Sequence, residues 1–274
     1  MQSRRFIQTN LINAIKNTEP FKVWFSPTPF VPANLINNAC RVATTVSSAG
    51  KPIFVSLSGG LDSEFVLKTF SHIGARITPI VVISPFNSAE SSYALALCEL
   101  YKTPPVVLQY DSKPAFIMEL YNRARQYGVH SLISCVTILA AEYALSRGGD
   151  LVTGHCDPFS MVTTYGDIRT VTSAPIPEML EICEYDFYID AFFPTLTGSL
   201  LGMDAGVYYA LLSEISHDLP FEEAKAALYD IPFRSKSSWD VELYAMNARL
   251  LLSGKRHYNI PKSYVMQFLS QYLI

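Results

Sequence analysis

Six residues, Ser58-Gly59-Gly60-Leu61-Asp62-Ser63, lie between two segments of different periodicity and commit this part of the chain to a strand–turn–helix. Upstream, Pro52 to Leu57 is short, apolar and β-prone, as a strand buried on both faces should be. Downstream, Phe65, Val66, Leu67 and Phe70 recur at helical spacing. Such a turn aims backbone N–H groups and the positive end of a helix dipole at one spot, which suits an anion. Gly59 and Gly60 allow close approach of the backbone, and Ser58 and Ser63 add hydroxyl donors. Asp62 is the odd member, because a carboxylate beside a phosphate is repulsive unless a cation lies between them. The loop reads as a phosphate cradle with a metal-binding carboxylate.

From residue 51 onward, apolar strand-like runs alternate with helical patterns, which predicts an α/β fold with a doubly wound parallel sheet. The expected strands are 52–57, 77–83, 105–108 and 151–153. Helices are expected over about 62–72, 88–101, 111–128 and 132–146. Residues 1–50 form an N-terminal extension, with an amphipathic helix expected from Phe6 to Ile15, a strand at Lys22–Phe25 and a helix over Asn34–Ser47. After Cys156 the pattern loses its period until about residue 206. Helical spacing then returns at 206–216, 221–229, 238–253 and 261–272. The expected organisation is an extension (1–50), an anion-binding core (51–160) and a mostly helical C-terminal region (161–274) that completes the site.

Composition limits the function classes. With 49% apolar and 16% charged residues, a sizeable core can form, and a net charge of −3 offers no general attraction to nucleic acid. No run of 18 apolar residues predicts a membrane span, and Met1–Asn10 lacks the apolar stretch of a secretory signal. The five cysteines are widely spaced and contain no Cys-x-x-Cys, which points to a reducing, cytoplasmic setting without an iron–sulfur or structural zinc site.

A second constellation, Leu151 to Asp157, ends a buried strand with Gly154, His155 and a carboxylate. In doubly wound sheets, ligands bind beyond the carboxyl ends of strands, so Ser58 and Asp157 are expected to face one crevice. Asp62 and Asp157 could there share a divalent cation. Asp157 also reads as a helix N-cap or the start of an Asp-Pro turn, and His155 reads first as a hydrogen-bonded structural histidine. A third element, Pro232 to Ser238, sets Arg234 and Lys236 among hydroxyls, either as cations for an anionic ligand or as a solvated basic loop.

The Ser58–Ser63 run resembles the PP-loop, Ser-Gly-Gly-x-Asp-Ser, of the ATP pyrophosphatase superfamily. It is neither a Walker A loop, lacking Gly-Lys-Ser/Thr, nor a dinucleotide fingerprint, lacking the third glycine. The resemblance implies a Rossmann-like core that binds ATP with Mg²⁺ and cleaves it between the α- and β-phosphates. It implies nucleotide contacts from Ser56, Ser58, Gly59, Gly60, Leu61, Asp62, Ser63, Gly154 and His155, with the adenine near Ile83 and Ser84. Asp62 and Asp157 would hold the metal, and Arg234 or Lys236 would face the departing pyrophosphate.

Ser88-Ala89-Glu90 followed by Tyr93, Ala94, Ala96 and Leu97 is similar to the synthetase domain of asparagine and β-lactam synthetases. That likeness implies an amide-ligase type reaction on a small-molecule acceptor. Those synthetases carry an N-terminal glutaminase domain with a nucleophilic cysteine, whereas Gln2 follows Met1 here. The nitrogen nucleophile is therefore expected free, from an amine, or from another subunit, whether a second copy or a partner. A nucleotide-binding module without turnover and a tRNA-modifying adenylating enzyme are the alternative readings.

Overall fold

The computed structural model describes residues 5–26, 28–155, 179–202, 204–215, 219, 221–233 and 256–274. Its centre is a five-stranded, all-parallel sheet. The strands are β3 (Ile53–Ser56), β4 (Ile77–Ile83), β5 (Val106–Gln109), β6 (Asp150–Thr153) and β8 (Gly198–Ser199). They lie in the order β5-β4-β3-β6-β8. The chain builds outward from β3 in one direction through β4 and β5, then returns to the other side of β3 through β6 and β8. The winding reverses between β3 and β6, the position at which ligands bind in doubly wound sheets.

Parallel strands need covered faces, and the sequence supplies helices for that purpose. Helices α3 (Leu61–His72), α4 (Ser88–Leu100), α5 (Lys113–Tyr127) and α6 (Leu132–Ser146) connect successive strands. Ser112 and Ser131 cap α5 and α6, each accepting from an N–H three residues on, and Gly128 closes α5 in the left-handed region at φ 66°. Helix α6 buries nine residues, from Leu132 to Ala144, and this explains why its sequence is apolar all round. Among the described residues, no single helix is long and apolar enough to cross a membrane.

Two sequence expectations are corrected. The stretch Phe6–Ile15 is not one helix: β1 (Ile7–Thr9) pairs antiparallel with β2 (Val23–Phe25), and only α1 (Leu11–Ile15) is helical. Phe6 stacks on Phe25 at 5.1 Å and meets Tyr208 at 5.4 Å, so long-range aromatic packing overrides the local helical spacing. The described part of the C-terminal region also forms strands where none was expected. It contributes β8 to the main sheet, and β7 (Met179–Cys183) pairs antiparallel with β9 (His257–Pro261). Helices α8 (Ala205–Glu214), α9 (Phe221–Leu228) and α10 (Lys262–Ser270) match three of the expected helical patterns. The fourth, 238–253, lies outside the described residues.

Candidate active site at the sheet switch point

The loop from Ser58 to Gly60 joins β3 to α3 and stands on one side of the crevice. Gly59 adopts φ +83°, and a Cβ there would lie 2.8 Å from the Glu90 carbonyl oxygen, so both the backbone angle and the space demand glycine. The loop is knit by its serines. Ser63 Oγ donates to the Gly60 carbonyl at 2.9 Å and lies 3.2 Å from Ser58 Oγ, which accepts from the Gly60 N–H at 3.3 Å. Gly60 is the N-cap of α3 and has no side chain to cap the first-turn N–H groups. An anion could satisfy those groups.

Beyond β6, Gly154 and His155 form the opposite side. A Cβ on Gly154 would lie 2.7 Å from the Cβ and carbonyl carbon of Asp62, so the two elements touch backbone to backbone. The edge strand fixes this loop: Leu200 N–H donates to the Thr153 carbonyl at 3.0 Å, and Ser199 Oγ donates to the His155 carbonyl. Burial pushes the His155 imidazole below the usual histidine range, and the nearby Asp62 charge opposes that shift. The ring is therefore held neutral near pH 7.

Asp62 is not an open metal ligand. Its Oδ2 accepts from Lys225 Nζ at 2.8 Å, and its Oδ1 accepts from the Tyr229 hydroxyl at 2.7 Å. Both donors come from the α9 region, more than 160 residues away in sequence. Lys225 is buried, with only 6% of its side chain exposed. Tyr229 also stacks on Phe65, with ring centroids 4.4 Å apart. One turn further along α3, Lys68 Nζ reaches the Asp230 carboxylate at 2.7 Å and the Tyr229 carbonyl at 3.2 Å. Asp62, Phe65 and Lys68 follow at three-residue spacing, so one face of α3 holds the C-terminal end of α9 and the turn after it.

The structure distributes the remaining expected site residues as follows. Ser56 ends β3 beside Ile80 of β4, at the same sheet edge as the loop. Ile83 and Ser84 end β4, but their polar groups are already engaged. Asn87 Oδ1 accepts from Ser84 N–H at 2.8 Å and from Ser84 Oγ at 2.9 Å, and the Ile83 carbonyl accepts from Tyr110 N–H at 2.9 Å. Asp157, Arg234 and Lys236 lie outside the described residues. Among those described, no group of three or more His, Cys, Asp or Glu is placed to hold a metal ion.

Sequence reading missed Lys225, Tyr229 and Ser199. Lys225 lies mid-helix in Glu-Glu-Ala-Lys-Ala-Ala, which reads as an ordinary solvated face, and nothing local distinguishes it.

The sequence matches no family model and no curated protein. Among solved structures, the chain is similar to NMN synthetase from Francisella tularensis, at 11% identity and a TM-score of 0.36, over 80% of this chain and 94% of that one. It is also similar to the NH3-dependent NAD synthetase of Campylobacter jejuni, at 15% identity and a TM-score of 0.37, over 87% and 92% of the two chains. Likeness at this level carries nothing about chemistry, so the functional reading rests on the chain's own residues.

Proposed function

We propose that this protein is an ATP-dependent, AMP-forming ligase of the PP-loop type. ATP binds with its β- and γ-phosphates in the Ser58–Ser63 loop. A carboxylate or carbonyl oxygen of a small-molecule acceptor attacks the α-phosphorus, the α–β bridging bond breaks, and pyrophosphate leaves. A nitrogen nucleophile then displaces AMP from the activated acceptor. The observation that carries this reading is the loop's position at the switch point, with glycine backbone, serine hydroxyls and an uncapped helix start converging there.

Holding both reactants in the crevice supplies the in-line geometry. Cations near the loop offset charge that grows as pyrophosphate departs, and Lys225, which stands at Asp62, is the described residue placed nearest that task. Asp62 is already ion-paired, so no step is routed through a metal at that carboxylate.

The test is nucleotide product analysis with pools of candidate acceptors and ammonia. AMP and pyrophosphate are expected to accumulate together while ADP does not. ADP and phosphate would overturn the family reading. ATP binding without turnover for any acceptor would favour a nucleotide-binding module, a reading to which the closed Asp62–Lys225 pair lends support.

A further inference from the structure

An aspartate in a phosphate-binding loop poses an electrostatic problem. The first turn of α3 carries two acids, Asp62 and Glu64, and together they offset the positive helix end that would attract an anion. A pyrophosphate group arriving there meets net repulsion unless a cation is supplied. A divalent metal bound by Asp62 is one solution, but here both Asp62 oxygens accept from protein donors, one of them an ammonium.

We propose that Lys225 is the counter-cation of this loop, standing at Asp62 where a divalent metal would otherwise sit, so that the loop binds pyrophosphate without one. The inference rests on the reading that Ser58–Ser63 takes the phosphates. Three observations support it. Lys225 Nζ lies 2.8 Å from Asp62 Oδ2. Its side chain is 6% exposed, so its charge is screened far less than that of a surface lysine. The turn that follows its helix is fixed on α3 at two further points, the Phe65–Tyr229 stack and the Lys68–Asp230 pair, which hold the ammonium at the loop before any ligand arrives. A preplaced cation needs little reorganisation when an anion enters. Its positive charge cancels that of Asp62, while the Glu64 carboxylate is turned to the Tyr93 hydroxyl 3.4 Å away, and the N–H groups and hydroxyls of the loop remain to attract phosphate oxygens.

The two solutions predict opposite roles for Asp62. If Asp62 holds a metal, its removal abolishes metal-dependent binding. If Asp62 anchors Lys225, its removal frees the ammonium for the phosphate. The experiment is isothermal titration of inorganic pyrophosphate into the full-length protein, in EDTA and in millimolar MgCl2.

Wild-type affinity is expected to be similar in both. In EDTA, Lys225→Met should weaken binding on the order of tenfold or more, because it leaves the Asp62 charge uncompensated beside the phosphates. Lys225→Arg should restore part of it, and Asp62→Asn should bind as tightly as wild type or more tightly. Near-ultraviolet circular dichroism checks that the variants keep their packing, and the wild-type comparison needs no variant. Binding by wild type only with MgCl2, lost in Asp62→Asn, would overturn the inference and leave the loop's phosphate role standing. Absence of pyrophosphate and ATP binding in both buffers would overturn that role and the inference together.

Discussion

Gly154 rests directly on Asp62, and the space between them admits no side chain: a Cβ at residue 154 would lie 2.7 Å from the Asp62 Cβ. The contact ties the end of β6 to the first turn of α3 and sets how closely the two loops approach. Gly154→Ala must push the two elements apart. A loss of about 1–3 kcal/mol is expected for overpacking of this kind, together with weaker nucleotide binding. Urea denaturation and ATP titration of the variant measure both, and wild-type values in each would show that the crevice does not depend on this contact.

Tyr229 joins α9 to the loop in two ways, through its hydroxyl on Asp62 and its ring on Phe65. Tyr229→Phe removes only the hydrogen bond, which should cost about 1–3 kcal/mol because the acceptor is charged. Tyr229→Ala also removes the buried ring and should cost about 3–5 kcal/mol. The gap between the two denaturation midpoints isolates the stacking contribution. Equal losses would mean that the ring contributes little to docking α9.

His155 gives the site a pH dependence of definite sign. Its folded-state pKa is lowered by burial from the ordinary 6.5. As pH falls below that value, the unfolded chain takes up the proton first, so the unfolded state gains relative to the folded one. The contribution of His155 is therefore fully present above pH 6.5, declines as pH falls toward the lowered folded value and is constant below it. Thermal melting between pH 7.5 and about 5 should show this decline, and His155→Gln should flatten it. An unchanged slope in that variant would assign the decline to other groups.

The PP-loop resemblance implies that Arg234 or Lys236 faces the departing pyrophosphate. If they do, alanine at either position should lower turnover on the order of 10²-fold while changing ATP affinity much less, because their charge matters most in the transition state. Steady-state kinetics with the productive acceptor separates the two effects. A change in KM alone would place these residues in ground-state binding instead.

Much of this arrangement is local and was legible in the residues. The strand before Ser58, the glycines of the loop and the helix after it follow from hydrophobic periodicity and glycine's conformational freedom, and they appear within a residue or two of their expected bounds. The same holds for β4 to β6 and their helices, because buried parallel strands and caps such as Ser112 and Ser131 leave local marks. β8 left none. It is two residues long, Gly198–Ser199, in a stretch without period, and it exists because it pairs with Val152 and Thr153.

What the sequence by itself determined is a parallel α/β sheet and an anion-binding turn containing an aspartate that needs a cation. Only the tertiary structure decided which cation stands there. Lys225 is 163 residues from Asp62 and sits in an unremarkable helix, and its position depends on Tyr229 stacking on Phe65 and Lys68 holding Asp230. Periodicity reports which face of an element is buried. It carries no information about which distant charge that burial brings into contact, because the pairing is set by how α9 packs on α3 and not by any spacing along the chain.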